Sequence, residues 1–135
     1  MHKRGIMHRR IESDVIGMKI NRATATASYA FKVRRIGGLN RVVTLQPGTM
    51  VTENFALTFP DAQSSMIAPE VKAGEPYGFS SDVWQIGYLA YQLATVPNHT
   101  GLPPQFQKIE DGEEEPKWLN WVPENIQFLI LAMLR

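Results

Sequence analysis

A long apolar segment with helical periodicity occupies the middle of the sequence, over residues 80–96. Its small and apolar positions recur three or four residues apart, which predicts an α-helix. Further apolar side chains lie between them, and a helix that is apolar on nearly all sides is typical of a buried position. Ser80 or Ser81 is expected to cap this helix and Pro97 to end it. The periodic positions are Val83, Ile86, Gly87, Ala90, Leu93 and Ala94, and the additional apolar ones are Trp84, Tyr88, Leu89 and Tyr91.

Weaker patterns predict shorter elements on both sides of this helix. Residues 16–20 and 29–34 alternate well enough for two short strands, the only ones expected, joined as an extended hairpin. Trp118 and Trp121 are expected to pack on the core. The predicted fold is mainly α, with helices around a central buried helix and one short β-hairpin. The other predicted helices are residues 70–73, 103–111 and 123–135, the last with Pro123 at an allowed early position.

Composition and charge narrow the class of protein. The chain has 135 residues and no cysteine, which allows one small domain with a core but no disulfide framework. It has no apolar run long enough to span a bilayer and no signal-peptide pattern at its start. We therefore expect a soluble intracellular protein, cytoplasmic or nuclear, with no membrane partner. Residues 1–43 carry ten Lys/Arg and two Asp/Glu, whereas residues 44–135 carry four and eleven. The basic half has no nucleic-acid-binding motif, which disfavours a nucleic-acid partner.

Two polar motifs are not explained by a buried helix alone. Asp82 lies in the first turn of the predicted helix and would enter the interior, where a carboxylate needs hydrogen-bond partners. Ala68-Pro69-Glu70 precedes it by twelve residues. Together with Ser81-Asp82-Val83-Trp84-Gln85-Ile86-Gly87, this tripeptide resembles the end of the activation segment and the central helix of the C-lobe of eukaryotic protein kinases. The resemblance implies structural roles for Ala68, Pro69, Glu70, Asp82, Trp84 and Gly87.

The N-terminal segment, residues 5–16, resembles the kinase catalytic loop. The family pattern is His-Arg-Asp followed by a Lys and an Asn, and His8 and Arg9 match its first two positions. Arg10 replaces the Asp that accepts the substrate proton, and arginine has no acceptor. Glu12 replaces the Lys and would repel a phosphate, and Val15 replaces the Asn and offers no oxygen to magnesium.

The same resemblance sets two further expectations. Residues 32–37 resemble the strand and Asp-Phe-Gly motif of a kinase, in which Gly37 is kept and Arg35 replaces the magnesium-binding Asp. Residues 35–70 then correspond to the activation segment. In the family the central-helix Asp accepts hydrogen bonds from the catalytic loop, so Asp82 is expected to contact the backbone near His8 and Arg9.

The resemblance covers nearly the whole chain, as one partial kinase-like domain over residues 1–135, but only the C-lobe of a kinase. The Gly-rich loop, strand Lys and partner Glu that hold the nucleotide are absent from the sequence, and so is the late Arg that pairs with the Glu70 position. Residues 107–112 and the last helix look most like the NIMA-related kinases. The helix that would normally precede His8 is missing, which predicts an uncovered apolar face on the central helix.

Three functions remain open on this basis. The first is a pseudokinase with no catalytic residues and no cofactor, which acts by binding proteins. The second is an incomplete serine/threonine kinase that uses ATP and magnesium, and the third is a fragment with no role of its own. If the chain is a pseudokinase, Arg10 and Arg35 are expected to lie close together at the former active site. There they would pair with Glu12 and Asp14, face solvent, or bind an acidic or phosphorylated partner.

Overall fold

The computed structural model describes residues 2–11, 16–21, 28–33, 42–52, 67–95 and 116–134. This part of the chain is mainly helical, as the sequence predicts, and contains two short antiparallel strand pairs. In chain order its elements are a 3-10 helix His2–Arg4, strands β1 Ile6–Met7, β2 Ile16–Asn21, β3 Ser28–Val33 and β4 Val43–Thr44, and helices α1 Pro69–Lys72, α2 Phe79–Ala94 and α3 Glu124–Met133. The predicted helix over residues 103–111 lies outside the described residues.

The predicted hairpin is confirmed as the antiparallel pair β2–β3. Its register runs from Ile16 opposite Val33 to Asn21 opposite Ser28. The prediction that these are the only strands is wrong, because β1 pairs with β4 and forms a second two-stranded sheet. Strands of two residues are too short to show an alternating pattern in the sequence.

The central helix α2 is confirmed, with different ends from those predicted. It begins at Phe79 after Gly78 and has no side-chain cap. The hydroxyl of Ser81 donates instead to the carbonyl of Gly78 at 2.8 Å, so the serines lie inside the first turn rather than before it. At the other end the helix stops at Ala94, before the proline predicted to end it, and the hydroxyl of Thr95 donates to the carbonyl of Tyr91 at 2.8 Å.

The burial of α2 is less complete than its composition predicts. One face packs into the core through Trp84, Tyr88 and Tyr91, which are 9 %, 2 % and 1 % exposed. A stripe on another face is open to solvent: the side chains of Val83, Ile86 and Leu93 are 37 %, 41 % and 66 % exposed. Three of the positions whose periodicity predicts the helix therefore lie on its uncovered side.

Helix α3 packs against α2 at Gly87. A Cβ added at this glycine would lie 2.7 Å from the Cβ of Met133, so the absence of a side chain permits the close approach of the two helices. Trp118 packs against the core as predicted, through an edge contact with Tyr91 at 5.5 Å between ring centroids. Trp121 does not, because 67 % of it is exposed.

The longest helix among the described residues is α2, with 16 residues. No helix in this part of the chain is long and apolar enough to cross a membrane.

Candidate functional site

The carboxylate of Asp82 joins the N-terminal loop to the central helix. Asp82 is completely buried, and its two oxygens accept hydrogen bonds from the backbone amides of His8 and Arg9, each at 2.7 Å. The predicted contact between Asp82 and this backbone is therefore confirmed. The ring Nε2 of His2 lies 2.9 Å from the carboxylate oxygen that also faces His8, and the ring contacts Phe79 with centroids 4.6 Å apart.

A second side chain of α2, Gln85, holds the same loop, and sequence reasoning missed it. Its amide oxygen accepts from the backbone N–H of Ile11 at 2.9 Å, and its amide nitrogen donates to the carbonyl of Arg9 at 3.2 Å. Gln85 is only 7 % exposed. The signal in the sequence is its position three residues after Asp82, because residues three apart lie on neighbouring parts of one helix face.

Arg9 has an unusual backbone conformation at the centre of this loop. Its φ of 65° lies in the left-handed region, which is disfavoured for residues with a side chain. Arg9 is 3 % exposed, and its guanidinium donates to the hydroxyl of Tyr77 at 3.3 Å. Strained residues persist where surrounding contacts over-determine them. Here both polar groups of the Arg9 backbone are bonded to side chains of α2.

The two residues beside Arg9 differ in exposure. His8 is buried, and its ring Nδ1 accepts from the backbone N–H of Arg10 at 3.4 Å. Within the described part of the chain, the other ring nitrogen of His8 is buried without a hydrogen-bond partner. Arg10 is half-buried, and the side chain at this position offers donors only.

The structure places only part of the predicted site. His8, Arg9 and Arg10 lie together on the loop held by Asp82 and Gln85. Glu12, Val15, Arg35 and Gly37 lie outside the described residues, so the convergence of Arg10 and Arg35 stays a prediction.

The Ala-Pro-Glu motif lies at helix α1. Ala68 is buried, and Pro69 and Glu70 begin the helix. The helix borders a cavity of about 640 Å³ that also contacts Trp84 of α2 and Met133 of α3. The ring of Trp84 stacks on Tyr88 at 5.3 Å between centroids. Ala68, Trp84 and Tyr88 belong to one cluster of buried residues, so the start of α1 and the core face of α2 pack in the same region.

Comparison with known sequences relates this chain to the protein kinases. No protein-family model matches the chain. It is 27 % identical over 139 residues to the serine/threonine-protein kinase unc-51 of Caenorhabditis elegans, an alignment that covers all of this chain and 16 % of that kinase. It is 37 % identical over 71 residues to the serine/threonine-protein kinase Nek8 of Danio rerio, which covers 50 % of this chain and 10 % of that kinase. The chain has a kinase-like relationship to both. It spans less than a fifth of the length of either.

Proposed function

We propose that this chain is a kinase-like domain that has lost phosphoryl transfer and acts as a pseudokinase, by binding other proteins. One observation carries the proposal. The backbone of His8 and Arg9 is held by the buried carboxylate of Asp82, and the next residue on this ordered loop is an arginine. These contacts match those expected of a catalytic loop, while the position that aligns with the catalytic base, an aspartate in the family, carries a positive charge.

The chemistry of the replaced positions supports this proposal. A residue that takes a proton from a substrate hydroxyl must have a free acceptor, and arginine remains protonated and has none. By the alignment, Glu12 would repel the phosphates, and neither Val15 nor Arg35 supplies an oxygen to magnesium. We therefore expect no cofactor. ATP and magnesium enter only under the alternative, an incomplete serine/threonine kinase.

The partner we propose is a protein, in the cytoplasm or the nucleus, with an acidic or phosphorylated segment. Two convergent guanidinium groups would bind a carboxylate or a phosphate through paired hydrogen bonds. The uneven charge of the chain, with ten of its fourteen Lys and Arg residues in residues 1–43, supports attraction of an anionic protein. The kinases unc-51 and Nek8 both match the chain, so the matches do not select one kinase subfamily. We propose the NIMA-related kinases as that subfamily.

The loss of nucleotide binding is tested by thermal unfolding of the purified chain with ATP, with and without magnesium. We expect no magnesium-dependent rise in melting temperature and no transfer of phosphate to a generic protein substrate. Ligand binding to the folded state raises the apparent stability by mass action, so a functional ATP–magnesium site would be visible. A magnesium-dependent rise would favour the kinase alternative.

The anion-binding partner is tested separately with a phosphorylated peptide. Binding is expected to weaken as salt rises, and the double variant Arg10→Asp/Arg35→Asp should abolish it. Lys3→Asp/Lys32→Asp is the control, because it makes the same change of charge at two exposed positions. Equal loss in both double variants would show that net charge, not a site at the two arginines, binds the peptide. Absence of binding to the peptide and to protein partners would overturn the binding proposal and favour the third possibility, a fragment with no role of its own.

A further inference from the structure

Gln85 makes a pair of contacts that the kinase resemblance does not assign to it. Its amide bonds to the loop on both sides of Arg10, donating to the carbonyl of Arg9 at 3.2 Å and accepting from the N–H of Ile11 at 2.9 Å. The amide is buried, so neither bond competes freely with water.

These two bonds fix the peptide units that flank Arg10. The carbonyl of Arg9 belongs to the planar unit before Arg10, and the N–H of Ile11 belongs to the unit after it. When both planes are held, the backbone angles of Arg10 are held too, and with them the direction of its Cα–Cβ bond. Asp82 holds the two preceding peptide units through the amides of His8 and Arg9. Side chains three residues apart on α2 thus hold four consecutive peptide units.

We propose that Gln85 is a positioning residue that sets the direction of the Arg10 side chain. The role of Arg10 itself rests on the proposed function. A glutamine suits this task because its side-chain amide has a donor and an acceptor side by side, the same pair that a peptide group offers. Gln85 also holds the carbonyl of Arg9. This bond helps to keep the Arg9 backbone at its disfavoured φ of 65°.

The first test is amide hydrogen exchange in Gln85→Leu, which removes both bonds and keeps a side chain of similar size. We expect exchange at Ile11 to become about tenfold faster, the effect of losing one buried hydrogen bond. Exchange at His8 and Arg9, which are bonded to Asp82, should change much less. Gln92→Leu is the matched control, since Gln92 lies exposed on the same helix. Equal acceleration at all three amides would indicate a general loss of stability and overturn the assignment.

The second test is the pH profile of Gln85→Glu. One oxygen of the introduced carboxylate could accept from the N–H of Ile11, but the other oxygen would face the carbonyl oxygen of Arg9. Burial and this repulsion between two oxygens would both raise the carboxyl pKa above about 4.3, its value in an unfolded chain. With a folded-state pKa raised in this way, stability is fully present below about pH 4 and is lost as pH rises through the folded-state value. The protonated acid regains a donor for the Arg9 carbonyl.

We expect the melting temperature of Gln85→Glu to match that of Gln92→Glu at pH 4 and to fall about 5 °C or more below it at pH 7.5. The same difference at both pH values would overturn the proposal, and so would failure of both Gln85 variants to fold at any pH. Neither readout needs a partner or nucleotide. A negative result in these two tests would overturn the role of Gln85 but not the pseudokinase proposal. Detection of phosphate transfer would overturn the pseudokinase proposal but not the role of Gln85.

Discussion

At the scale of single residues, Asp82 is a buried charge with defined partners. One oxygen accepts from the Arg9 amide, and the other accepts from the His8 amide and lies 2.9 Å from the ring nitrogen of His2. A buried carboxylate is tolerated when hydrogen bonds replace its hydration. Because both amides come from a loop more than seventy residues away in sequence, the carboxylate has a structural role that needs no catalysis.

Removal of this carboxylate should destabilise the protein. Asp82→Ala leaves the amides of His8 and Arg9 buried without acceptors, which costs about 1–3 kcal/mol of unfolding free energy. Urea denaturation followed by circular dichroism measures this loss. Glu75→Ala, at an exposed position, is the control and should change stability by less than about 0.5 kcal/mol. Similar stability of both variants would contradict the role assigned to Asp82.

At the scale of elements, the short β1–β4 pair depends on a glycine. Gly5 has a φ of +70°, its carbonyl accepts from the Leu45 amide at 2.6 Å, and a Cβ added there would lie 2.5 Å from the Leu45 carbonyl oxygen. That oxygen belongs to the backbone and cannot move aside as a flexible side chain can. The sheet therefore requires glycine both for conformation and for space.

Two glycine variants separate these requirements. Gly48 also has a positive φ, of +79°, but a Cβ there would meet nothing within 4 Å. Gly48→Ala should thus cost only the conformational strain, about 1–2 kcal/mol. We expect Gly5→Ala to cost about 1–3 kcal/mol more, because of the added clash. Thermal or urea unfolding of both variants measures the difference, and equal losses would show that the contact with Leu45 relaxes freely.

The elements that the sequence predicts well are those with a sustained periodic pattern. The long apolar repeat predicts α2 to within two residues at each end, and alternation predicts the hairpin β2–β3. The two-residue strands β1 and β4 show no such pattern. Gln85 was missed because an isolated polar residue in a helix ordinarily faces solvent; its spacing of three residues from Asp82 is the signal that places it on the side facing the loop. Periodicity also cannot tell which apolar face a neighbour covers, so the exposure of Leu93 could not be read from it.

At the scale of the whole molecule, apolar surface remains uncovered on two helices. Ile86 and Leu93 of α2 are 41 % and 66 % exposed, and Phe128 and Leu129 of α3 are 72 % and 53 % exposed. Apolar side chains exposed on a helix face favour association with other molecules where they form a patch. The sequence predicts an uncovered apolar face on the central helix, and the stripe that contains Ile86 and Leu93 is exposed; that a further helix would cover this stripe stays a prediction.

Charged substitutions should separate association from folding. Leu93→Lys is expected to lower concentration-dependent self-association, measured by analytical ultracentrifugation, with a change in stability of less than about 0.5 kcal/mol because the position is exposed. Leu89→Lys is the contrasting variant on the same helix. Leu89 is 7 % exposed, so a buried unpaired charge there should prevent folding or cost several kcal/mol. Unchanged association in Leu93→Lys would show that the α2 stripe does not drive it.

The attachment of residues 8–11 to α2 has a consequence for chain-closure entropy. Hydrogen bonds from Asp82 and Gln85 join positions 73 to 76 residues apart, so they close a very long loop of chain. The entropic cost of closure grows only logarithmically, by about 0.6 kcal/mol for each doubling of loop length. Lengthening a loop of this size by about twenty residues would add only about 0.2 kcal/mol to that cost. The intervening segments are therefore free to vary in length while the contacts between this loop and α2 persist.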